Sequence, residues 1–217
     1  MSPKTKPKLD RDRVLAEAVV LADGIGIDAL TIRRLAEALD SKPMTIYHYV
    51  PNKEAIIDGM VDLVFAEIDL PPKDCDWKAA IAQRSRSARS VLSLHPWAAS
   101  LMESRTNPGP ATLTHHNAVL GCFRAAGFSV VMTAHAYALV DAFVYGFALQ
   151  EASLPATSGA EMDELANNIS AQFEDGQYPH LVEMVVEHTM QPGYDFRTEF
   201  DFGLALVLDG LEAAASR

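Results

Sequence analysis

Apolar residues in this chain return every three or four positions through most of its length, with polar residues between them. That spacing marks helices with one buried face, and no sustained two-residue alternation competes with it. Val14, Ala18, Leu21 and Ala22 give such a stripe to a helix over Leu9–Asp23, which Gly24 and Gly26 end. Ile32, Leu35, Ala36 and Leu39 mark a second helix, with Thr31 placed to cap it. Asp40 and Ser41 then interrupt the spacing. Ser41 can cap again and Pro43 is tolerated only in a first turn, so a third helix is predicted over Pro43–Tyr49. Asn52 caps a fourth, from Lys53 to about Asp69, with Ile56, Ile57, Met60, Leu63 and Val64 facing inward. The run Leu70-Pro71-Pro72-Lys73-Asp74 stops it. Further helices are predicted over Trp77–Leu94, Pro96–Glu103, Pro110–Ala126, Ser129–Ala152, Glu161–Phe173, Pro179–Glu187 and Phe196–Ala214.

The fold is therefore read as all-α. The Pro43–Tyr49 helix is too short to persist alone in water, so its neighbours must hold it and present its outer side chains on a fixed platform. Two helices so arranged form a helix-turn-helix, whose second helix enters the DNA major groove. Residues 10–69 are thus a three-helix DNA-binding domain with a connecting helix, and 77–217 a second helical domain. Residues 1–9, rich in Lys and Pro, form a disordered basic arm. On the short helix Lys42, Pro43, Met44, Thr45 and His48 point outward, while Ile46 and Val50 belong to the core. Met44 suits a thymine methyl, and Arg33 can reach a base or phosphate. Arg34 reads as solvated. Lys53 combines its ammonium with a helix N-terminus, a pairing that holds phosphate.

Charge sharpens this division. The net charge of −11 argues against nucleic acid for the chain as a whole. Residues 1–60, however, carry nine Lys and Arg against nine Asp and Glu, so the acidity lies entirely beyond them. The two cysteines, Cys75 and Cys122, have no CxxC or metal-ligand spacing and fit free thiols in a reducing cytoplasm. No apolar signal-peptide core follows the basic amino terminus. The apolar run Phe128–Leu149 is long enough for a membrane span but contains His135 and Asp141, so it reads as a buried helix and no membrane is implied.

The ordered set Thr31, Arg33, Leu35, Ala36, Leu39, Thr45, Ile46, Tyr47, Tyr49, Val50, Asn52 and Lys53 resembles the TetR family of transcriptional repressors, over Asp10 to about Asp69. The segments QYPHLVEMV and FDFGLALVLDGLEA resemble the carboxy-terminal domain of the tetracycline-repressor subgroup, over 77–217. The resemblance implies a ligand-responsive repressor, released from a palindromic operator in double-stranded DNA by a small hydrophobic effector. It adds Thr31 and Tyr47 to the DNA-contacting set and supports Arg33 and Thr45. It places Met44 and His48 where operator specificity varies. In the subgroup the last helix joins a dimer bundle. On an ungapped register from Trp77, the polar residues that hold a magnesium–drug chelate there are replaced by Arg84, Met102 and Ala118, so magnesium is not implied.

Two helices suit a two-fold interface. Ala134, Ala138, Ala142 and Gly146 lie four apart and form a ridge over which a partner helix can come close. The last helix is apolar around most of its girth, and Phe200, Gly203, Leu204, Val207 and Leu211 complete the expected homodimer interface. Trp97, Met102, His116, Phe123, His135, Asp141, Phe143 and Phe147 are candidates for an effector pocket among the middle helices. The adjacent His115 and His116 point about 100° apart on a helix and rarely share an ion, so no metal or other cofactor is expected. There is no GxSxG, glycine-rich phosphate loop or nucleophile with an evident base. The alternative reading is an all-helical binding protein or enzyme that does not touch DNA.

Overall fold

The computed structural model describes residues 9–171 and 177–215, so the predicted basic arm lies, apart from Leu9, outside the described residues. Phe173, the expected end of one helix, does so as well. Ten α-helices appear among the described residues: α1 Arg11–Ile25, α2 Ile32–Ala38, α3 Pro43–Ile46, α4 Lys53–Glu67, α5 Trp77–Leu94, α6 Pro110–Ala125, α7 Val130–Ser153, α8 Gly159–Ser170, α9 Pro179–Met184 and α10 Glu199–Ala215. The single Ser158–Asp195 bridge is the only strand-like pairing among them. The all-α expectation holds.

Compactness divides the chain between Ala138 and Leu139, inside α7. The proline-marked stretch at 70–76 does interrupt the helices, but it does not separate compact bodies, because α4 packs on α6 across it. In the first unit α1 buries Val14, Leu15, Ala18, Val19 and Ala22. It lies so close to α4 that a methyl group at Gly59 would stand 2.6 Å from Leu15 Cδ1. α4 buries Ile56, Ile57, Met60, Val61, Val64 and Phe65, and Phe65 meets the rings of both His115 and His116 on α6. α5 is paved with small inward residues, Ala80, Ser85 and Ala88, which let α6 approach it.

The predicted Pro96–Glu103 helix is absent. Residues 96–104 instead form a chain of tight turns, with Ala98 N–H donating to His95 C=O, Leu101 to Ala98 and Ser104 to Leu101. Three-residue steps replace four-residue ones because two anchors at the start of this stretch, His95 and Trp97, are tied to other helices (below). In the second unit the rings of Phe143 and Phe147 of α7 pack against Phe200, the latter edge-to-face, and Phe147 stacks on Phe196. α9 passes directly into a π-turn over Val185–Thr189.

α7 is long and apolar enough to cross a membrane by length and composition alone, and 39% of its most apolar stretch is buried. It is half-buried rather than the enclosed helix expected, since Ala134, His135, Ala138, Leu139, Ala142 and Gly146 all face outward.

Gly59→Val should lower stability by about 1–3 kcal/mol, the usual cost of overpacking a filled contact, because Leu15 is itself buried and has nowhere to swing. Thermal denaturation of the variant beside wild type measures it.

Candidate nucleic-acid interface and the links behind it

The turn between α2 and α3 sets the head. Asp40 adopts a left-handed backbone (φ 47°), with Asp40 N–H donating to Glu37 C=O and Ser41 N–H to Ala36 C=O, which closes the end of α2 on itself. Thr31 caps the start as expected, its hydroxyl accepting from Arg34 N–H at 3.2 Å. Ser41 does not cap α3. Lys42 takes that position with no side-chain bond, and Pro43 fills the first turn. α3 is shorter than predicted, ending at Ile46, because the next bonds span three residues, from His48 N–H to Thr45 C=O and from Tyr49 N–H to Ile46 C=O. Ile46 and Val50 are buried and pin this element from beneath.

Lys42, Pro43, Met44, Tyr47 and His48 are exposed together on the outside, Met44 by 73%, with Thr45 half-buried among them. Lys53 is the exposed first residue of α4, whose start is capped by Asn52 Oδ1 accepting from Ala55 N–H at 2.8 Å. Arg33 is exposed and pairs with Glu37 at 2.9 Å. Arg34, expected in solvent, donates from Nη1 to Ala29 C=O and braces the loop before α2.

Behind the head, α4 carries carboxylates that reach the later helices. Arg105 donates to Asp58 at 2.7 Å and to Glu54 at 2.6 Å. Asp62 Oδ1 accepts from both Thr112 N–H (2.8 Å) and Thr112 hydroxyl (2.9 Å), and so caps α6, whose own cap residue Gly109 has no side chain to offer. A Cβ at Gly109 would collide with that carboxylate. His95 bridges Asp23 at the end of α1 (2.8 Å) and Glu67 at the end of α4 (3.2 Å), and Trp97 Nε1 donates to the same Asp23 oxygen at 2.7 Å. None of these links was among the sequence candidates. The four-residue spacing of Glu54, Asp58 and Asp62 was visible, but on a helix it ordinarily describes a solvated face.

The expected pocket residues do not converge. Met102 and His116 do share a cleft of about 90 Å³ with Asp58, Arg105 and Thr112. Trp97 is committed to Asp23, and Phe123 packs with Trp77 and Phe128. Phe143 and Phe147 belong to the aromatic cluster of the second unit, while Asp141 is buried. His135 is exposed on the outer face of α7 and is no pocket residue, since a one-step change of phase on a helix turns a side chain about 100°. The buried histidine is instead His115, fully enclosed, accepting at Nε2 from Arg84 Nε at 3.1 Å. Burial, with Arg84 adding to it, lowers its pKa to about 3, so the ring is neutral. Phe200, Leu204 and Leu211, expected at a dimer interface, are buried inside their own unit, and Gly203 lies under the Phe143 ring. Val207 is half-buried. The outward residues of α10 are Phe202 and Leu206 instead.

A short helix held on a buried base beside a capped supporting helix defines the helix-turn-helix class of regulators. The family described as "Bacterial regulatory proteins, tetR family" matches residues 14–60, and "Tetracyclin repressor-like, C-terminal domain" matches 70–215. The HTH-type transcriptional repressor DrrR1 of Streptomyces coeruleorubidus is 31% identical over 225 residues, covering 98% of this chain and 80% of that protein. The class A tetracycline repressor of Escherichia coli is 27% identical over 207 residues, covering 94% and 91%. Streptomyces coelicolor ActR in complex with actinorhodin superposes with a TM-score of 0.79 at 27% identity, covering 97% of this chain and 100% of that one. The chain belongs to the TetR family of bacterial transcriptional regulators, with a carboxy-terminal part of the tetracycline-repressor kind.

The His95 bridge makes a pH prediction. Burial lowers the pKa of His95, but hydrogen bonds and charge from Asp23 and Glu67 outweigh burial and raise it above 6.5. Its stabilising contribution is therefore complete below about pH 6.5 and is lost as pH rises through the raised value. Thermal midpoints measured across that range should fall as pH rises, and His95→Gln should remove that part of the slope.

Proposed function

We propose that the protein is a homodimeric, ligand-responsive repressor that works in the cytoplasm on a palindromic operator. Residues 10–69 are its DNA-binding domain, and 77–217 bind effector and partner. The observation that carries this reading is the outward cluster on α3 with Lys53 beside it, standing on buried Ile46 and Val50. Such a set offers short side chains to base edges and cations to phosphates. Thr31, Arg33, Thr45, Tyr47 and Lys53 anchor the backbone, and Met44 and His48, with Lys42 and Pro43 beside them, read the groove. A second copy covers the exposed small-residue ridge Ala134, Ala138, Ala142 and Gly146, together with Phe202 and Leu206 of α10. Apolar residues this exposed on a helix call for a partner.

The effector is a small hydrophobic molecule that enters beside Met102 and His116. The cleft there is smaller than the roughly 300–1,000 Å³ of ordinary ligand sites, so entry must push the 101–112 segment from α4. That displacement strains the bonds of Arg105 and Thr112 to Asp58 and Asp62, and so tilts the helix that supports the head. By linkage, operator DNA weakens effector binding by the same factor. Arg84, Met102 and Ala118 stand where the subgroup's chelate-holding polar residues fall on the ungapped register, so a magnesium–drug chelate is not implied.

Gel shifts against the DNA upstream of its own gene test the reading, since an all-helical enzyme would leave that DNA unshifted. Lys53→Ala should weaken binding to every sequence and reduce the slope of log affinity against log salt by about 1. His48→Ala should change the ranking of operators selected from random DNA, and an unaltered ranking rejects its role as a reader. Leu206→Glu should give a monomer by analytical ultracentrifugation that no longer shifts the operator. A dimer that survives the substitution would place the interface elsewhere.

A further inference from the structure

A groove of about 880 Å³ lies between the segment that follows α4 and the outer side of α6. Pro71 and Trp77 stand on one side of it and Ala118 and Gly121 on the other, and its lining includes both of the chain's cysteines. Cys75 is exposed in the 68–76 segment, which lies outside the helices and is tied at its start by Asp69 N–H donating to Ser87 Oγ at 2.9 Å. Cys122 is half-buried, with its Sγ 3.9 Å from the carbonyl oxygen of Trp77, two residues beyond Cys75. Burial pushes the Cys122 thiol up, with the charges of Cys75 and Asp76 adding to the effect.

We propose that Cys75 and Cys122 form a reversible dithiol–disulfide pair that closes across this groove by exchange with a small disulfide. The two positions suit the two halves of such an exchange. The exposed Cys75 thiolate attacks one sulfur of glutathione disulfide, forming a mixed disulfide and expelling one glutathione thiolate. The Cys122 thiolate then attacks the Cys75 sulfur and expels the second glutathione. The two protons leave the protein thiols for the two glutathione thiolates, so one disulfide is reduced as one is made. A disulfide needs its Cα atoms within about 7 Å, and closure requires adjustment only of the exposed 73–75 stretch, between the Asp69–Ser87 bond and the Asp76 cap, while α6 stays in place. Asp76 fixes the next residues by accepting from Lys78 N–H and Ala79 N–H, so the adjustment is confined to the stretch that leads out of α4. The closed bond ties that stretch to α6 and shuts the groove. It does not depend on the DNA-binding reading.

Full-length protein is incubated with excess glutathione disulfide, quenched with acid, and examined by intact mass and by thiol titration under denaturing conditions. The expected product is a monomer that has lost both titratable thiols, carries no glutathione, and recovers both thiols with dithiothreitol. Cys122→Ser should instead retain one glutathione on Cys75. Wild type that accumulates glutathione adducts, links into disulfide dimers or keeps both thiols would overturn the proposal.

Discussion

The row of carboxylates on α4 is the constraint on which the first unit depends. α4 has two kinds of side. Its apolar side, with Met60, Val64 and the bare backbone of Gly59, is pressed against Leu15 and α1 by burial of several large side chains, each contributing about 1.5–3 kcal/mol. Its polar side meets later helices through single hydrogen bonds to charged groups, each contributing about 1.5–3 kcal/mol at best and less where water reaches them. The apolar seam is the stronger in sum. α4 is therefore bonded to the head in bulk and to the turn segment and α6 by a few separable links.

The links also substitute for local features that the sequence omits. α6 begins at Gly109-Pro110, a cap residue without a side chain followed by a residue without an N–H. The first turn of a helix leaves donors unpaired, and a negative charge there meets the favourable end of the helix dipole. Asp62 supplies both the acceptor and the charge from another helix, and glycine at 109 is what leaves room for it. Three roles thus fall on one aspartate: capping α6, spacing it from α4, and joining the two. Arg84 and His115 make a comparable pair between α5 and α6. Burial lowers the pKa of His115, and the Arg84 charge, which tolerates a neutral imidazole acceptor beside it but not an imidazolium, adds to it.

Much of this architecture was legible in the residues, and the failures have physical causes. Helix starts were read well where a single side chain makes the cap, as with Thr31 and Asn52, because that bond is local. α3 starts at Pro43 as the sequence indicates, but its cap residue is Lys42 rather than Ser41. Ser41 is a good capping type, but its backbone is already used in closing α2 through Ala36. The α4 links were not legible, because their partners lie 28 to 51 residues away in sequence and an acidic four-residue spacing has a simpler meaning on its own. The turn segment 96–104 was misread for the same reason. Its composition suits a helix, but His95 and Trp97 are held by Asp23 and Glu67, and non-local bonds override local preference.

The outer faces of α7 and α10 show a different limit. On α10, Phe200, Leu204, Leu208 and Leu211 repeat at three and four residues and are buried, while Phe202 and Leu206 repeat at four and are exposed. Both series satisfy the helical period, so periodicity identifies two apolar faces without saying which one the chain keeps for itself. Size does not decide it either, since phenylalanine leads both series. The facing helix decides. Phe143 and Phe147 on α7 pack against Phe200, and Gly203 leaves room for the Phe143 ring, so that side of α10 faces α7 and Phe202 and Leu206 face outward. Ala134, Ala138, Ala142 and Gly146 likewise face outward on α7, where a row of residues with almost no side chain lets another backbone approach closely.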